Sequence, residues 1–257
     1  MARQALSDGF EWIVAVGGDG VVNEVVNGLM ADGKAVRPQA AMGIIPCGTG
    51  NDLARMLGLP RDTLATARHL AQSKQSRLID IGEVVFTHEG KSQLRYFAND
   101  ADLGFAADVV ARLECTGKFC RGTVSYFFAL LRTALRHRSQ HVTLQVDDRP
   151  SEGKIATVLV CNGQSTGGGM WVAPNAALDD GLFDVVVVAG LRPWEILWHA
   201  PKIYRGTHLA IRKVSVHRAR TVSVASPQRL LVVADGELIG EAPATFSVLP
   251  QALRVRV

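Results

Sequence analysis

The sequence has 257 residues, a formal net charge of +4 and a pI near 9.0, and it is 47% hydrophobic and 20% charged. These values indicate an ordinary folded globular protein of one large domain or two modest ones. Because no apolar run reaches the length of a membrane span, no secretory leader is recognisable and the four cysteines form no CxxC pair, we expect a cytoplasmic protein in a reducing compartment.

The chain begins with two predicted strand–turn–helix units. In the first, an apolar strand over residues 12–16 enters a glycine turn over 17–20, and apolar residues follow at helical spacing over 21–30. In the second, a strand over 41–46 enters a glycine turn over 47–51, and Asp52 is expected to cap the next helix. Two such units in series predict a parallel sheet covered by helices.

From residue 78 onward, short β-rich segments predict a second, mostly antiparallel domain. The predicted strands cover residues 79–86, 96–100, 142–146, 156–161, 182–188, 214–216, 221–224 and 230–234. Predicted helices over 123–138 and about 193–205 interrupt them. The expected division is therefore 1–78, 79–244 and a C-terminal segment 245–257, for which return to the first domain is left open.

The two glycine turns point to phosphate binding. Backbone amides at a helix N-terminus attract anions, and glycines let a phosphate approach closely. Neither turn matches the P-loop or GxGxxG, since Asn23 and Leu53 occupy the last glycine positions. A single glycine turn is usually structural, but two at successive strand–helix junctions favour a phosphate-binding cleft.

Five ordered segments of the chain carry a family pattern. Residues 16–29 read VGGDGVVNEVVNGL, and residues 43–55 read GIIPCGTGNDLAR. They resemble the GGDGTxNEVxNGL and GIIPxGTGNDxAR segments of the diacylglycerol kinase catalytic domain family, in its bacterial lipid kinase branch. The likeness continues through residues 99–105, 167–184 and 235–237 and ends in PQAL at 250–253, so it covers nearly the whole chain.

This resemblance implies a fold of the NAD kinase/diacylglycerol kinase type, with an α/β N-terminal nucleotide domain and a C-terminal, mostly antiparallel β-sandwich. It also implies an ATP-dependent lipid kinase of phospholipid metabolism that uses Mg²⁺ and phosphorylates a diacylglycerol-like hydroxyl, although the acceptor lipid itself stays open. Phosphoryl transfer needs positioned carboxylates, amides and metal rather than covalent help from the protein.

The same resemblance implies the site residues. Those implied for nucleotide binding are Gly18, Asp19, Gly20, Val21, Val22, Asn23, Glu24, Gly48, Thr49, Gly50 and Asn51. Asp19 would act on Mg²⁺ directly or through water. Asp180 would hold a metal with the carbonyls of Ala177 and Leu182, and Glu237 would be the general base with Asp235 beside it.

Two departures from the family pattern leave a second function open. Val21 stands where the family usually has threonine, and the family's opening strand is missing before the helix-like stretch 2–10. The alternative is a catalytically weak or inactive lipid-binding or regulatory protein of the same fold. The intact Asp180, Asp235 and Glu237 favour the enzyme.

Two further motifs suggest other chemistry. Residues 163–167 fit the GxSxG pattern of serine hydrolases, but glycines and Pro174 follow instead of a helix, so a glycine turn is favoured. His137 and His141 have the i, i+4 spacing of metal ligands on a helix, but no third ligand lies nearby. A basic surface is therefore the favoured interpretation of the two histidines.

The expected partners are a lipid substrate and the inner face of the membrane, without nucleic acid, and a homodimer is left open. Trp194 and Trp198 lie one helical turn apart, as in interfacial helices, although core packing is the preferred interpretation of the pair. Arg132, Arg136 and Arg138 form a basic cluster. An anionic partner and a solvated face both remain open for that cluster.

Overall fold

The computed structural model describes residues 1–115 and 123–257. The helices are α1 (Ala2–Ser7), α2 (Asp19–Leu29), α3 (Asp52–Met56), α4 (Thr63–Gln72), α5 (Phe105–Cys115), α6 (Thr123–Arg136) and α7 (Pro193–Ile203), with a 3-10 helix at Thr207–Ala210. The strands are β1 (Trp12–Gly17), β2 (Met30–Ala31), β3 (Lys34–Ala35), β4 (Ala41–Pro46), β5 (Ser76–His88), β6 (Lys91–Phe97), β7 (Asp100–Gly104), β8 (Gln140–Val146), β9 (Arg149–Cys161), β10 (Phe183–Ala189), β11 (Val214–Ala219), β12 (Thr221–Ala225), β13 (Leu231–Ala234) and β14 (Glu237–Arg256).

The two predicted strand–turn–helix units lie side by side. β1 pairs in parallel with β4 over its whole length, from Trp12 opposite Ala41 to Gly17 opposite Pro46. Because parallel strands end at the same edge of a sheet, this pairing brings both glycine turns together. Buried aliphatic side chains from α2, β4 and β5 form the core beneath them.

The second half of the chain is mostly antiparallel, which confirms the predicted fold class. Strands β7 to β13 pair antiparallel with their neighbours. Their buried faces form a second core, in which the rings of Phe97 and Phe183 stack at 5.6 Å between centroids and Phe246 meets Phe97 edge-on. Truncating a fully buried phenylalanine such as Phe246 to alanine typically costs about 3–5 kcal/mol.

The last strand connects the two cores. β14 begins at Glu237 and pairs antiparallel with β13, β12 and β5. It then runs parallel to β4, with Arg254 opposite Ala41 and Val255 opposite Met42. One continuous strand therefore joins the predicted catalytic glutamate to the sheet that carries the glycine turns. The division at residues 78 and 244 stays a prediction.

Several predicted elements change in the structure. The strand predicted over 96–100 is two strands, since the chain breaks between Phe97 and Asp100, where backbone N–H groups turn to the side chain of Asp235. Helices α4 and α5 were not predicted. The preferred interpretation of Trp194 and Trp198 as core residues is wrong, because their side chains are 60% and 78% exposed on α7.

Within residues 1–115 and 123–257, no helix is both long and apolar enough to cross a bilayer.

Candidate active site

The two glycine turns contact each other directly. Gly18 is the N-cap of α2, and a Cβ placed on it would lie 3.1 Å from the Cα of Gly48. A Cβ on Gly48 would in turn clash with the Cα of Gly18, which is a backbone atom and cannot rotate away. Glycine at both positions is therefore required for the contact. The turns form one continuous surface at the ends of β1 and β4.

Asp19 fixes the second turn to the first. Its Oδ2 accepts the N–H of Asn51 and its Oδ1 accepts the N–H of Asp52, each at 2.8 Å. The side chain of Asn51 closes the turn by accepting from the N–H of Gly48 at 3.0 Å and donating to its carbonyl at 2.7 Å. Burial, followed by repulsion from Asp52, raises the pKa of Asp19, while the two N–H donors oppose that rise.

Asp52 links the glycine turns to the loop after β9. Its carboxylate accepts the hydroxyl of Ser165 at 2.9 Å and the N–H of Gly168 at 2.7 Å, and it pairs with Arg55. Arg55 also donates to the carbonyl of Gly50 at 2.7 Å. The predicted helix cap at Asp52 is wrong, because Asn51 is the N-cap of α3. Asp52 instead bonds the loop after β9, and Arg55 bonds Asp52 and the second glycine turn.

Neither rival motif forms its expected site. Ser165 lies in an irregular loop and donates to Asp52, and no helix follows it, so the glycine-turn interpretation is confirmed. His137 lies just past the end of α6 with its ring against Phe105, whereas His141 lies on β8. The two histidines therefore do not share a helix face.

Asp235 receives N–H donors from two distant parts of the chain. Its Oδ2 accepts the side-chain N–H of Asn23 at 2.7 Å and the backbone N–H of Ala98 at 2.9 Å. Its Oδ1 accepts the backbone N–H groups of Asn99 at 2.8 Å and Asp100 at 3.1 Å. Burial raises the pKa of Asp235, and these donors lower it. Asp235 thus ties α2 to the break between β6 and β7.

Glu237 lies at the first glycine turn. A Cβ placed on Gly20 would lie 3.1 Å from Oε1 of Glu237. Its Oε2 lies 2.6 Å from a guanidinium nitrogen of Arg95, which also bonds Glu24 at 2.9 Å and the side-chain oxygen of Asn23 at 2.8 Å. The structure therefore brings Gly20, Asn23, Glu24, Asp235 and Glu237 together. Arg95 holds this arrangement, and sequence reasoning missed it.

An open cavity of about 300 Å³ borders this cluster. Arg95 lines it together with Leu94 and Leu238, which are 49% and 37% exposed. The polar part of the cluster therefore adjoins a surface with apolar side chains.

The remaining residues predicted for nucleotide binding differ in exposure. Thr49 is exposed beside Gly48, and Val21 is 45% exposed in the first turn of α2. Val22 is buried in the core, so its side chain faces away from the turns. Only the backbone of Val22 is therefore placed to meet a ligand there.

Asp180 belongs to a different group of residues. It pairs with Arg218, and its Oδ1 accepts the N–H of Leu182 at 3.1 Å. The neighbouring buried Asp80 accepts the N–H groups of Gly181 and Gln251, each at 2.7 Å. Among the residues that the structure describes, no three His, Cys, Asp or Glu side chains gather in a metal-binding group. The metal role of Asp180, Ala177 and Leu182 stays a prediction.

Two further buried carboxyl groups belong to β7, and both lie close to Asp235. Burial, followed by repulsion from Asp102, raises the pKa of Asp100 well above its ordinary value. Burial, followed by repulsion from Asp235, raises the pKa of Asp102 to about 7. The Oδ1 atom of Asp102 has no hydrogen-bond partner within the described part of the chain.

Replacing Asp102 by asparagine is expected to reduce the pH dependence of stability. Since its pKa of about 7 in the folded protein exceeds the unfolded value of roughly 3.9, the wild type loses free energy of unfolding as the pH rises between these values. Asparagine does not ionise, so Asp102→Asn should lose up to about 1.4 kcal/mol less for each pH unit within that range. Urea unfolding at about pH 5 and about pH 8 measures the difference, and an unchanged difference contradicts the assignment.

The chain matches two family models, and it is similar to curated diacylglycerol kinases over nearly its whole length. Residues 1–84 match the diacylglycerol kinase catalytic domain, and residues 101–257 match the YegS C-terminal NAD kinase beta sandwich-like domain. The diacylglycerol kinase of Bacillus subtilis is 30% identical over 254 residues, which is 99% of this chain and 80% of that protein. The diacylglycerol kinase of Mycobacterium tuberculosis H37Rv is 31% identical, with 98% and 78% covered.

Solved structures agree on the fold. A diacylglycerol kinase from Bacillus anthracis superposes with a TM-score of 0.71 at 22% identity, covering 99% of this chain and 78% of that one. Yeast NADH kinase in complex with NADH superposes with a TM-score of 0.55 at 9% identity, covering 99% and 63%. At these identities the likeness concerns the fold alone.

Proposed function

The chain belongs to the diacylglycerol kinase catalytic domain family, and we propose that it transfers the terminal phosphate of ATP to the hydroxyl of a diacylglycerol-like lipid. One observation carries the proposal. The predicted base, Glu237, lies beside Gly20 of the turn predicted to bind phosphates, although more than two hundred residues separate them in sequence. Phosphate donor and proton acceptor would thus meet at one place.

The glycine turns would bind the nucleotide's phosphates. Gly18 and Gly48 leave the backbone of both turns accessible, and the positive end of α2 favours an anion there. Asp19 holds the second turn in place through Asn51 and Asp52, so the surface is preorganised before ATP arrives. The nearby Thr49 hydroxyl would add a further donor.

Glu237 would accept the proton of the lipid hydroxyl. Its Oε2 is held by Arg95, while its Oε1 lies on the side of Gly20. Arg95 would also stabilise negative charge that develops on the transferred phosphate. Asp235, whose two oxygens receive four N–H groups, would position the strand turn that presents Glu237.

The proposed transfer would also use a magnesium ion. Mg²⁺ is usually bound by one or two carboxylates together with waters and substrate phosphates, so a cluster of three carboxylates is not needed. Asp19, next to the phosphate-binding surface, would serve this ion, and Asp180 would hold a second one with the carbonyls of Ala177 and Leu182. Bound Mg²⁺ would neutralise charge on the phosphates.

The acceptor would enter through the cavity beside Glu237. Arg95 and exposed Leu94 and Leu238 line it, which provides polar and apolar contacts for a glycerol backbone and the start of its acyl chains. Since the cavity is open, a lipid would remain partly in the bilayer during transfer.

We also propose that α7 binds the membrane surface at the cytoplasmic face. Exposed Trp194 and Trp198 lie one turn apart, and Arg192 lies 5.2 Å from the Trp194 ring. Tryptophan and basic side chains favour the interface of anionic bilayers. A homodimer stays a prediction.

Removing both tryptophans is expected to weaken membrane binding. The double variant Trp194→Ala/Trp198→Ala should bind anionic vesicles at least about tenfold more weakly, because each indole loses apolar burial. Phe10→Ala is the control, since Phe10 is 61% exposed outside α7. Vesicle sedimentation measures binding, which should also fall with added salt. Equal binding by all three proteins would remove α7 from the interface.

A phosphate-transfer assay tests the proposed function. Purified protein, labelled ATP and Mg²⁺ are incubated with mixed micelles that contain diacylglycerol, a sphingoid base or total lipid extract. A labelled lipid product that depends on protein supports the kinase. If no lipid is labelled although ATP and vesicles bind, the chain is instead a lipid-binding protein that keeps the fold, as Val21 in place of threonine would suggest.

A further inference from the structure

A second cavity, of about 520 Å³, lies between α5, α6 and the start of β8. It also borders Leu231 at the start of β13, whereas Asp235 follows the end of that strand. Leu231 and Asp235 are four residues apart. At about 3.3 Å per residue, the edge of the cavity at Leu231 therefore lies about 13 Å from the turn at Asp235. The cavity is thus distinct from the site around Glu237. Its polar lining includes Asp108, Arg112, Arg136, His137, Arg138 and Gln140.

The lining carries excess positive charge. Three of its side chains are arginines and one is an aspartate. Arg112 donates to the hydroxyl of Thr133 at 3.0 Å and lies one helical turn from Asp108. Arg136 and Arg138 are exposed and form no hydrogen bond or ion pair with the parts of the chain that the structure describes. Two guanidinium groups are therefore available to an anion at the cavity mouth.

Two buried polar atoms in the lining also lack partners among the described residues. They are Nε2 of His137 and Oε1 of Gln140. Gln140 donates its side-chain N–H to the carbonyl of Arg229 at 3.1 Å, which fixes Oε1 as the acceptor. Burial lowers the pKa of His137, so its ring is neutral at neutral pH. A buried acceptor without a partner is costly, and a ligand hydroxyl would satisfy it.

We propose that this cavity binds a phosphate ester that carries a free hydroxyl, of the glycerol phosphate type. Arg136 and Arg138 would hold the phosphate, since guanidinium groups bind phosphate oxygens in pairs. Gln140 and Asp108 would accept from the hydroxyl. The ester is either the headgroup of an anionic phospholipid or a soluble compound. This proposal stands apart from the kinase reaction, because it concerns a separate site.

The position of the cavity favours a membrane source. α6 packs against α7, which carries the exposed Trp194 and Trp198. A headgroup held by Arg136 and Arg138 would lie near the depth that interfacial tryptophans reach.

Two double variants test the cavity by direct binding. Arg136→Gln/Arg138→Gln removes both cavity arginines, and Arg132→Gln/Arg149→Gln removes the same charge from exposed positions outside the lining. Phosphatidylcholine vesicles that contain phosphatidylglycerol are compared with vesicles that contain phosphatidylserine at equal charge. We expect the wild type to prefer phosphatidylglycerol, and the cavity variant to bind it about tenfold more weakly than the matched variant does.

Calorimetry with glycerol 3-phosphate and inorganic phosphate distinguishes the two sources. Binding of soluble glycerol 3-phosphate that is lost in Arg136→Gln/Arg138→Gln identifies a soluble ester as the ligand. If the wild type prefers phosphatidylglycerol vesicles but does not bind soluble glycerol 3-phosphate, the ligand is the lipid headgroup. Gln140→Met should weaken the binding of the hydroxyl-bearing ester and leave any binding of inorganic phosphate unchanged. Equal losses in both double variants, or a wild type without preference for phosphatidylglycerol and without glycerol 3-phosphate binding, overturn the proposal.

Discussion

Replacing Glu237 by glutamine is expected to lower turnover by roughly 10²–10⁴-fold, the usual contribution of a general base. Glutamine keeps the size of the side chain and its ability to accept from Arg95, but it does not take up the proton of an alcohol. Because Arg95 also bonds Glu24 and Asn23, the local arrangement should survive the loss of one ion pair. MgATP affinity and melting temperature should therefore stay near those of the wild type.

The control for Glu237→Gln is Glu241→Gln on the same strand. Glu241 is paired with Arg229 at 2.7 Å and lies outside the site, so this variant also loses a carboxylate–arginine pair. Steady-state turnover with a lipid acceptor, calorimetry with MgATP and thermal unfolding are measured on all three proteins. Near-normal turnover in Glu237→Gln would defeat its role as the base and direct attention to Asp235.

Local sequence patterns predicted the parallel part of the fold well. The strands before both glycine turns, and the helix after the first, extend over nearly the predicted residues because apolar spacing and glycine act within a few residues of each other. Helix α5 was missed because it lies among β-rich segments. It begins directly after Gly104, whose φ of +80° ends β7.

Contacts between distant residues were much harder to predict. The position of Asp52 predicts a helix cap, but its carboxylate bonds Ser165, 113 residues away. Arg95 reaches Glu237 across 142 residues, and no local pattern marks it. The exposure of Trp194 and Trp198 also depends on which helix face the rest of the fold covers. Side-chain partners of this kind follow from the tertiary fold and not from spacing.

Replacing Gly48 by valine is expected to weaken MgATP binding by more than about tenfold. The new Cβ would meet the Cα of Gly18 and force the two turns apart, which would widen the surface proposed to bind phosphates. Overpacking of this kind typically costs about 1–3 kcal/mol of stability. Since the clash lies at the edge of the parallel sheet, the two cores should remain folded.

Gly153→Val is the matched control for Gly48→Val. Gly153 lies on β9, and a Cβ on it would meet no atom within 4 Å, so the same chemical change occurs without a clash. Gly48→Ala provides a milder test of the same contact, should the valine variant unfold. Calorimetry with MgATP and thermal unfolding are measured on each protein. If folded Gly48→Val or Gly48→Ala binds MgATP as tightly as Gly153→Val does, the contact between the turns does not shape the nucleotide site, and the phosphates must bind elsewhere.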